Sequence, residues 1–220
     1  MFARASEIAL VSRAVAVLGT QLVRDIVLVA SVADMFNGID PKIMDVRAFW
    51  ARSVECGVLA KAIATDAGVL DNEHVFIEGL LAEIGHMAMY LHQPQTMQDI
   101  AVRCGGLPSE MVNAEREALG YDYCEAGAGI AHAWGLPEGL VSVIAHHQMP
   151  ATAEKYELET AIVHIALRLT EERPDEELRL DAEASALVGL DAPAALAVRD
   201  ANALLIGEAT TTFGSLDTAA

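Results

Sequence analysis

A stretch in the middle of the chain, residues 75–91, carries apolar side chains around most of a helical circumference. One row, with steps of four, three, four and three residues, contains Ile77, Leu81, Ile84, Ala88 and Leu91. A second apolar row lies beside it, and this all-round pattern predicts a buried helix. Glu83 and His86 lie near the middle, where a buried ionisable group needs a partner or a neutral form. The stretch is therefore either a core helix with two satisfied polar residues or the wall of a site.

The same helical spacing recurs along most of the chain, and turn residues such as Gly105-Gly106 separate the apolar segments. One further helix begins at Pro94, and others are predicted over residues 6–18, 20–36, 46–67, 109–119, 122–134, 137–147, 154–171 and 192–208. Neither strand-like alternation nor a repeat of fixed period occurs in the sequence. The pattern predicts an all-α fold. Segments 6–18 and 20–36 have more apolar surface than two helices can bury against each other.

The composition narrows the classes of partner. The formal net charge is −18, from 14 Lys and Arg against 32 Asp and Glu, which argues against nucleic acid and anionic membrane surfaces. The three cysteines (Cys56, Cys104 and Cys124) form no CxxC pair, which favours reduced thiols in a reducing compartment. The N-terminus lacks the build of a signal peptide, and no apolar run near it is long enough to span a bilayer. We expect a cytoplasmic protein without a cofactor.

Three sequence blocks occur in an order that resembles a known family. They are FWARS at residues 49–53, FIEGLLAEIG at residues 76–85, and Gly127 followed by WGLP at residues 134–137 and His146-His147. Together they resemble the HDOD family, an output-domain branch of the HD superfamily of metal-dependent phosphohydrolases. The LVGLD sequence at residues 187–191 is similar to the family's C-terminal element. The resemblance implies a multi-helix HD-like bundle over residues 1–205, and residues 206–220 are expected to form a disordered tail.

The resemblance also identifies the positions where catalytic HD enzymes carry their metal ligands: a His, a His-Asp pair, a late Asp and, in two-metal members, further His residues between them. In chain order the corresponding residues here are Arg52, Ala82-Glu83, Tyr123, His146-His147 and Leu167. Only His146-His147 matches. Ala, Tyr and Leu are poor ligands for such a site, and an arginine repels a divalent cation. The resemblance therefore implies a degenerate site with no catalytic residue and no metal.

Alternatives remain open for the polar residues that persist. Glu83, His86, His146 and His147 are a possible rearranged metal site, because histidine and carboxylate suit zinc, iron or nickel. They are also candidates for a pocket that senses a ligand. In the simplest interpretation, His146-His147 caps a helix C-terminus, where donor side chains satisfy free carbonyls. Glu83 is then expected to pair with a nearby cation such as Arg52 or a histidine.

The function implied by the resemblance is a non-enzymatic signalling or regulatory domain of bacterial signal transduction, acting through contact with an unidentified protein. The alternatives are a residual HD-type phosphohydrolase and a sensor of a nucleotide or cyclic dinucleotide. Family members typically carry more helices before the segment that begins near Ala5. We therefore expect residues 6–36 to be covered by a partner or by a second copy of the chain in a homodimer.

Overall fold

The computed structural model describes residues 38–70, 72–171 and 177–216. Contacts divide the chain into two compact units, Met1–Gly38 and Ile39–Ala220, and every helix named below belongs to the second. In chain order the helices are α1 (Val46–Asp66), α2 (Glu73–Leu81), α3 (Ile84–His92), α4 (Pro94–Arg103), α5 (Pro108–Leu119), α6 (Tyr123–Ala133), α7 (Glu138–His146), α8 (Glu157–Thr170), α9 (Ala182–Val188) and α10 (Ala192–Leu216). A short 3-10 turn, Pro150–Thr152, separates α7 from α8. The predicted all-α fold is confirmed, with no strand in the described ranges.

The core is built around α1, which packs against α2, α8 and α10. Its side chains Leu59 and Ile63 are fully buried, as are Ile162 and Ile165 of α8. Each such side chain contributes roughly 1.5–3 kcal/mol when it leaves water. Helix α2 lies especially close to α1, since a Cβ on Gly79 would come within 3.0 Å of α1 backbone atoms. This packing fixes the N-terminal half of the segment that carries the candidate site.

The prediction of one continuous helix over residues 75–91 is wrong, because the chain breaks at Ala82-Glu83. Glu83 has φ −98° and ψ 15°, outside the helical region, and its carbonyl accepts from the His86 N–H at 3.0 Å. Both halves keep their apolar faces, so periodicity alone does not register the break. Its physical reason is tertiary: α2 packs on α1, whereas α3 packs on α6.

The C-terminal part of the chain also differs from the prediction. Helix α10 continues to Leu216, so residues 206–216 are helical where a disordered tail was expected. A short helix, α9, forms between residues 171 and 192, where no helix was predicted. Residues 6–36, with the expected homodimer surface, lie outside the described residues. Within the ranges that the structure describes, no helix is both long and apolar enough to cross a bilayer.

Candidate functional site

The site is built around an ion pair between Arg52 of α1 and Glu83 at the α2–α3 break. Arg52 Nε and Nη2 donate to Glu83 Oε2 at 3.1 and 2.8 Å. The Glu83 side chain is 3% exposed and that of Arg52 27%. Burial by itself would raise the pKa of Glu83, but Arg52, followed by His86, lowers that pKa overall. The expected pairing of Glu83 with a cation is therefore confirmed.

A second buried contact joins Tyr123, the first residue of α6, to His147, which follows α7. His147 Nδ1 lies 3.1 and 3.0 Å from the carbonyl oxygens of Val143 and Ile144, so we assign its proton to Nδ1. Nε2 is then an acceptor, and the Tyr123 hydroxyl donates to it at 3.1 Å. Burial lowers the pKa of His147 to about 4, so the imidazole is neutral at pH 7.

The hydroxyl of Tyr123 is satisfied on its other side as well. Gln148 Nε2 donates to Tyr123 Oη at 2.6 Å, and the tyrosine is fully buried. Burial raises the pKa of Tyr123 well above its ordinary value, so the side chain remains a neutral phenol. Tyr123 therefore covers the free nitrogen of His147 and leaves it no open direction toward a ligand.

His86 of α3 is bound by a carboxylate that the sequence did not single out. Its Nε2 donates to Glu115 Oε1 of α5 at 2.9 Å, and Glu115 Oε2 accepts from the Tyr123 backbone N–H at 2.9 Å. The His86 ring stacks on the Tyr123 ring at a centroid distance of 3.8 Å. Glu115 thus holds both the histidine and the free N–H at the start of α6.

A close approach of two glycines brings these groups together. A Cβ on Gly85 would lie 1.9 Å from the Tyr123 carbonyl oxygen, and one on Gly127 would lie 3.1 Å from Gly85 N. Only glycine permits such proximity of two helix backbones. Gly127 therefore lies in close contact with the backbone of α3, whereas Gly129 has no atom within 4 Å of its Cβ position.

The structure brings only part of the predicted set together. We call the joined residues the polar cluster: Arg52, Glu83, His86, Glu115, Tyr123 and His147. Ala82 is fully buried and Leu167 is 3% exposed within the apolar core. His146 points elsewhere, because its Nδ1 lies 2.8 Å from the Thr152 hydroxyl. His147 does cap the C-terminus of α7, as the simplest interpretation predicted.

Sequence reasoning missed Glu115, Gln148 and Glu171. Glu115 is fully buried, although glutamate is almost never fully buried unless it is paired. The available signal was its spacing of four residues from Met111, which is also buried. Glu171 follows α8, where its carboxylate accepts from the Ser109 N–H at 3.0 Å and pairs with Arg168 at 2.7 Å. No local pattern indicates these contacts. Most of the partners lie far away in the sequence, and Arg168 meets Glu171 only at the end of α8.

The cluster does not fit the divalent metal of catalytic HD enzymes. The guanidinium of Arg52 is already bonded to Glu83, Ala82 offers no donor atom, and Tyr123 covers His147 Nε2. Across residues 38–70, 72–171 and 177–216, no group of three or more His, Cys, Asp or Glu side chains is arranged to hold a metal ion. The rearranged set of Glu83, His86, His146 and His147 is therefore not assembled, since His146 and His86 bind other partners.

Comparison with known proteins gives one family and several solved structures. The model of the HDOD domain matches residues 1–150. An HDOD domain protein of unknown function from Geobacter sulfurreducens is 22% identical, with a TM-score of 0.72, and the alignment covers 90% of this chain and 72% of that one. A candidate phosphohydrolase from Shewanella amazonensis SB2B is 25% identical, with a TM-score of 0.70 and coverages of 90% and 73%.

A third structure, the MmoQ response regulator from Methylococcus capsulatus str. Bath, is 20% identical with a TM-score of 0.56. That alignment covers 80% of this chain and 69% of the regulator. No curated protein matches the chain significantly. At these identities the Geobacter and Methylococcus structures show a shared fold.

Proposed function

Since the chain belongs to the HDOD domain family, we propose that it is a non-enzymatic signalling domain that acts by binding another protein. The structure of a response regulator among the similar folds supports a role in signal transduction. We further propose that the domain works in the bacterial cytoplasm, where its cysteines stay reduced.

The observation that carries this proposal is the ion pair between Arg52 and Glu83. In a metal-dependent phosphohydrolase the metal supplies positive charge and lowers the pKa of a bound water. Here a guanidinium supplies the positive charge at 2.8 Å from the carboxylate, and an arginine neither binds an activated water nor offers an open coordination position. The cluster is thus suited to holding α1, α3 and α6 together rather than to hydrolysis.

The partner that we propose is a protein, and two features guide the choice of surface. The chain carries a net charge of −18, which favours partners with a basic or neutral contact face over nucleic acid. The apolar stripes of residues 6–18 and 20–36 supply a sequence-based candidate for the contact itself, either with that partner or in a homodimer. Sedimentation of the purified chain at micromolar concentration tests the homodimer, and a clean monomer would contradict it.

The experiment for the whole proposal combines metal analysis with hydrolysis assays on purified protein. Nucleotides, cyclic dinucleotides and a generic phosphodiester serve as substrates, with zinc, manganese, iron or nickel added. We expect substoichiometric metal and no turnover above that of a His147→Ala variant. Stoichiometric tightly held metal, together with turnover that His147→Ala abolishes, would instead establish a residual phosphohydrolase.

The same preparation separates a sensor from a domain that only contacts proteins. Calorimetry with nucleotides and cyclic dinucleotides reports binding without chemistry. We expect no binding, because Tyr123 and Gln148 close the approach to His147. Saturable binding at micromolar concentration that Arg52→Met weakens would support the sensor and overturn our choice.

A further inference from the structure

A buried acid of α2, Glu78, lies outside the polar cluster and has an oxygen without a partner. Its side chain is 4% exposed, and its Oε2 forms no hydrogen bond with any described residue. A buried carboxylate in this state is strongly disfavoured, whereas a neutral carboxylic acid is tolerated. Glu78 therefore differs from Glu83, Glu115 and Glu171, whose carboxylates all have donors.

The surroundings of Glu78 are formed by the start of α7 and by Tyr156, the residue before α8. A Cβ on Gly139 would lie 3.3 Å from Glu78 Oε1 and 3.2 Å from the Tyr156 ring. Tyr156 is in the left-handed region at φ 58°, a conformation that non-glycine residues adopt only when the surroundings impose it. The acid, the glycine and the tyrosine ring thus meet at one junction, which we call the α2–α7–Tyr156 junction.

The charged residues of the neighbouring elements supply no cation to this acid. On α8, Glu159 adds another negative charge. On α1, Lys61 pairs with Glu73 of α2 at 2.7 Å. At the turn before α8, Lys155 pairs with Glu138 of α7 at 2.8 Å. The other charged groups on these elements form no hydrogen bond with Glu78 Oε2. They are Arg47, Arg52, Glu55 and Asp66 of α1, His74 of α2, His146 of α7, Glu154 of the turn, and Glu157, His164 and Arg168 of α8.

We propose that Glu78 makes the α2–α7–Tyr156 junction sensitive to pH. As a neutral acid Glu78 allows α2 to pack against α7 and Tyr156, and its deprotonation at alkaline pH loosens this packing. Burial, followed by the negative charge of Glu159, raises the pKa of Glu78 to about 8. A folded-state pKa above that of the unfolded chain means that folding takes up a proton. The stability that this shift in the pKa of Glu78 contributes is therefore fully present at acidic pH, and it declines as the pH rises toward and through 8.

The first test is equilibrium urea unfolding of the wild type and Glu78→Gln between pH 6 and pH 9. With pKa values of about 8 folded and 4.5 unfolded, the unfolding constant of the wild type increases about 100-fold over this range through Glu78 alone. Glu78→Gln removes this increment, because the amide does not ionise. Parallel pH profiles for the two proteins would overturn the proposal.

Two single-charge variants on α8 provide the matched comparison. Glu159→Gln removes the like charge that acts on Glu78 and is expected to reduce the pH dependence. Glu157→Gln removes the same charge from an exposed position and is expected to leave it unchanged. If both variants change the pH dependence of unfolding equally, the effect depends on net charge and the role proposed for Glu78 is wrong.

One measurement on the wild type remains decisive even if Glu78→Gln fails to fold. Carbon NMR of protein with labelled glutamate carboxyls is expected to show one carboxyl that titrates between pH 7 and pH 9. If Glu78→Gln does fold, hydrogen exchange of residues 150–160 at pH 9 is also expected to be faster in the wild type than in the variant. Titration of every glutamate below pH 6 would contradict the proposal.

Discussion

Replacing Arg52 by methionine tests the idea that its guanidinium holds a buried carboxylate in place. The change keeps the apolar stem but removes both hydrogen bonds to Glu83 Oε2, at 3.1 and 2.8 Å. Glu83 is only 3% exposed, so its charge would remain buried without a partner. Removing one member of a buried pair costs roughly 3–5 kcal/mol. Since Arg52 itself is 27% exposed, we expect the low end, about 3 kcal/mol.

The assay is urea unfolding followed by circular dichroism at several pH values, with the slope m as a check that the two unfolding transitions are comparable. In Arg52→Met, burial raises the pKa of Glu83, so the carboxyl takes up a proton as the pH falls. In the wild type the pKa of Glu83 is lowered, and its contribution is lost only below the unfolded pKa. The difference in stability between the two proteins should therefore shrink from pH 8 to pH 5.

Two further variants make the test specific. Arg47→Met removes an exposed arginine from the same helix and is expected to change the free energy of unfolding by less than about 0.5 kcal/mol. In the double variant Arg52→Met/Glu83→Gln the loss should be smaller than the sum of the single losses by about 2 kcal/mol. A loss for Arg52→Met equal to that of Arg47→Met, or strict additivity in the double variant, would refute the reasoning.

Two further predictions concern the packing of α6. Tyr123→Phe leaves His147 Nε2 without its donor and should cost about 1–2 kcal/mol in the free energy of unfolding, whereas the exposed Tyr121→Phe should cost almost nothing; equal effects would contradict the assigned role. Gly85→Ala places a Cβ 1.9 Å from a backbone oxygen and should lower thermal stability severely, by about 3 kcal/mol or more. Gly129→Ala, with open space around it, should stabilise the helix by roughly 0.5–1 kcal/mol. A loss of stability equal to that of Gly85→Ala would contradict the role assigned to the close backbone contact at Gly85.

The helical content and much of the helix placement were predictable because they depend on local periodicity and on caps. Asp122, for example, caps α6 through a capping box with Glu125, as its place before the helix suggests. The pairing of Glu83 with Arg52 was also predictable, since a buried acid demands a cation and the family resemblance placed both residues at one site. The partner of His86 was not predictable, because Glu115 lies 29 residues away on a helix whose charged residues favour exposure to solvent.

The amino-acid sequence by itself determined the all-α architecture and the net negative charge, because both follow from residue type and short-range spacing. The family that the sequence resembles then implied the loss of the metal-ligand pattern, since most of the ligand positions hold other residues here. Only the tertiary structure decided where the 75–91 segment breaks, that Tyr123 covers His147, and that Glu78 is left without a donor. These outcomes depend on helices that approach one another across many residues of intervening chain. Such contacts leave no trace in helical periodicity, since the same apolar pattern fits a straight helix and a broken one.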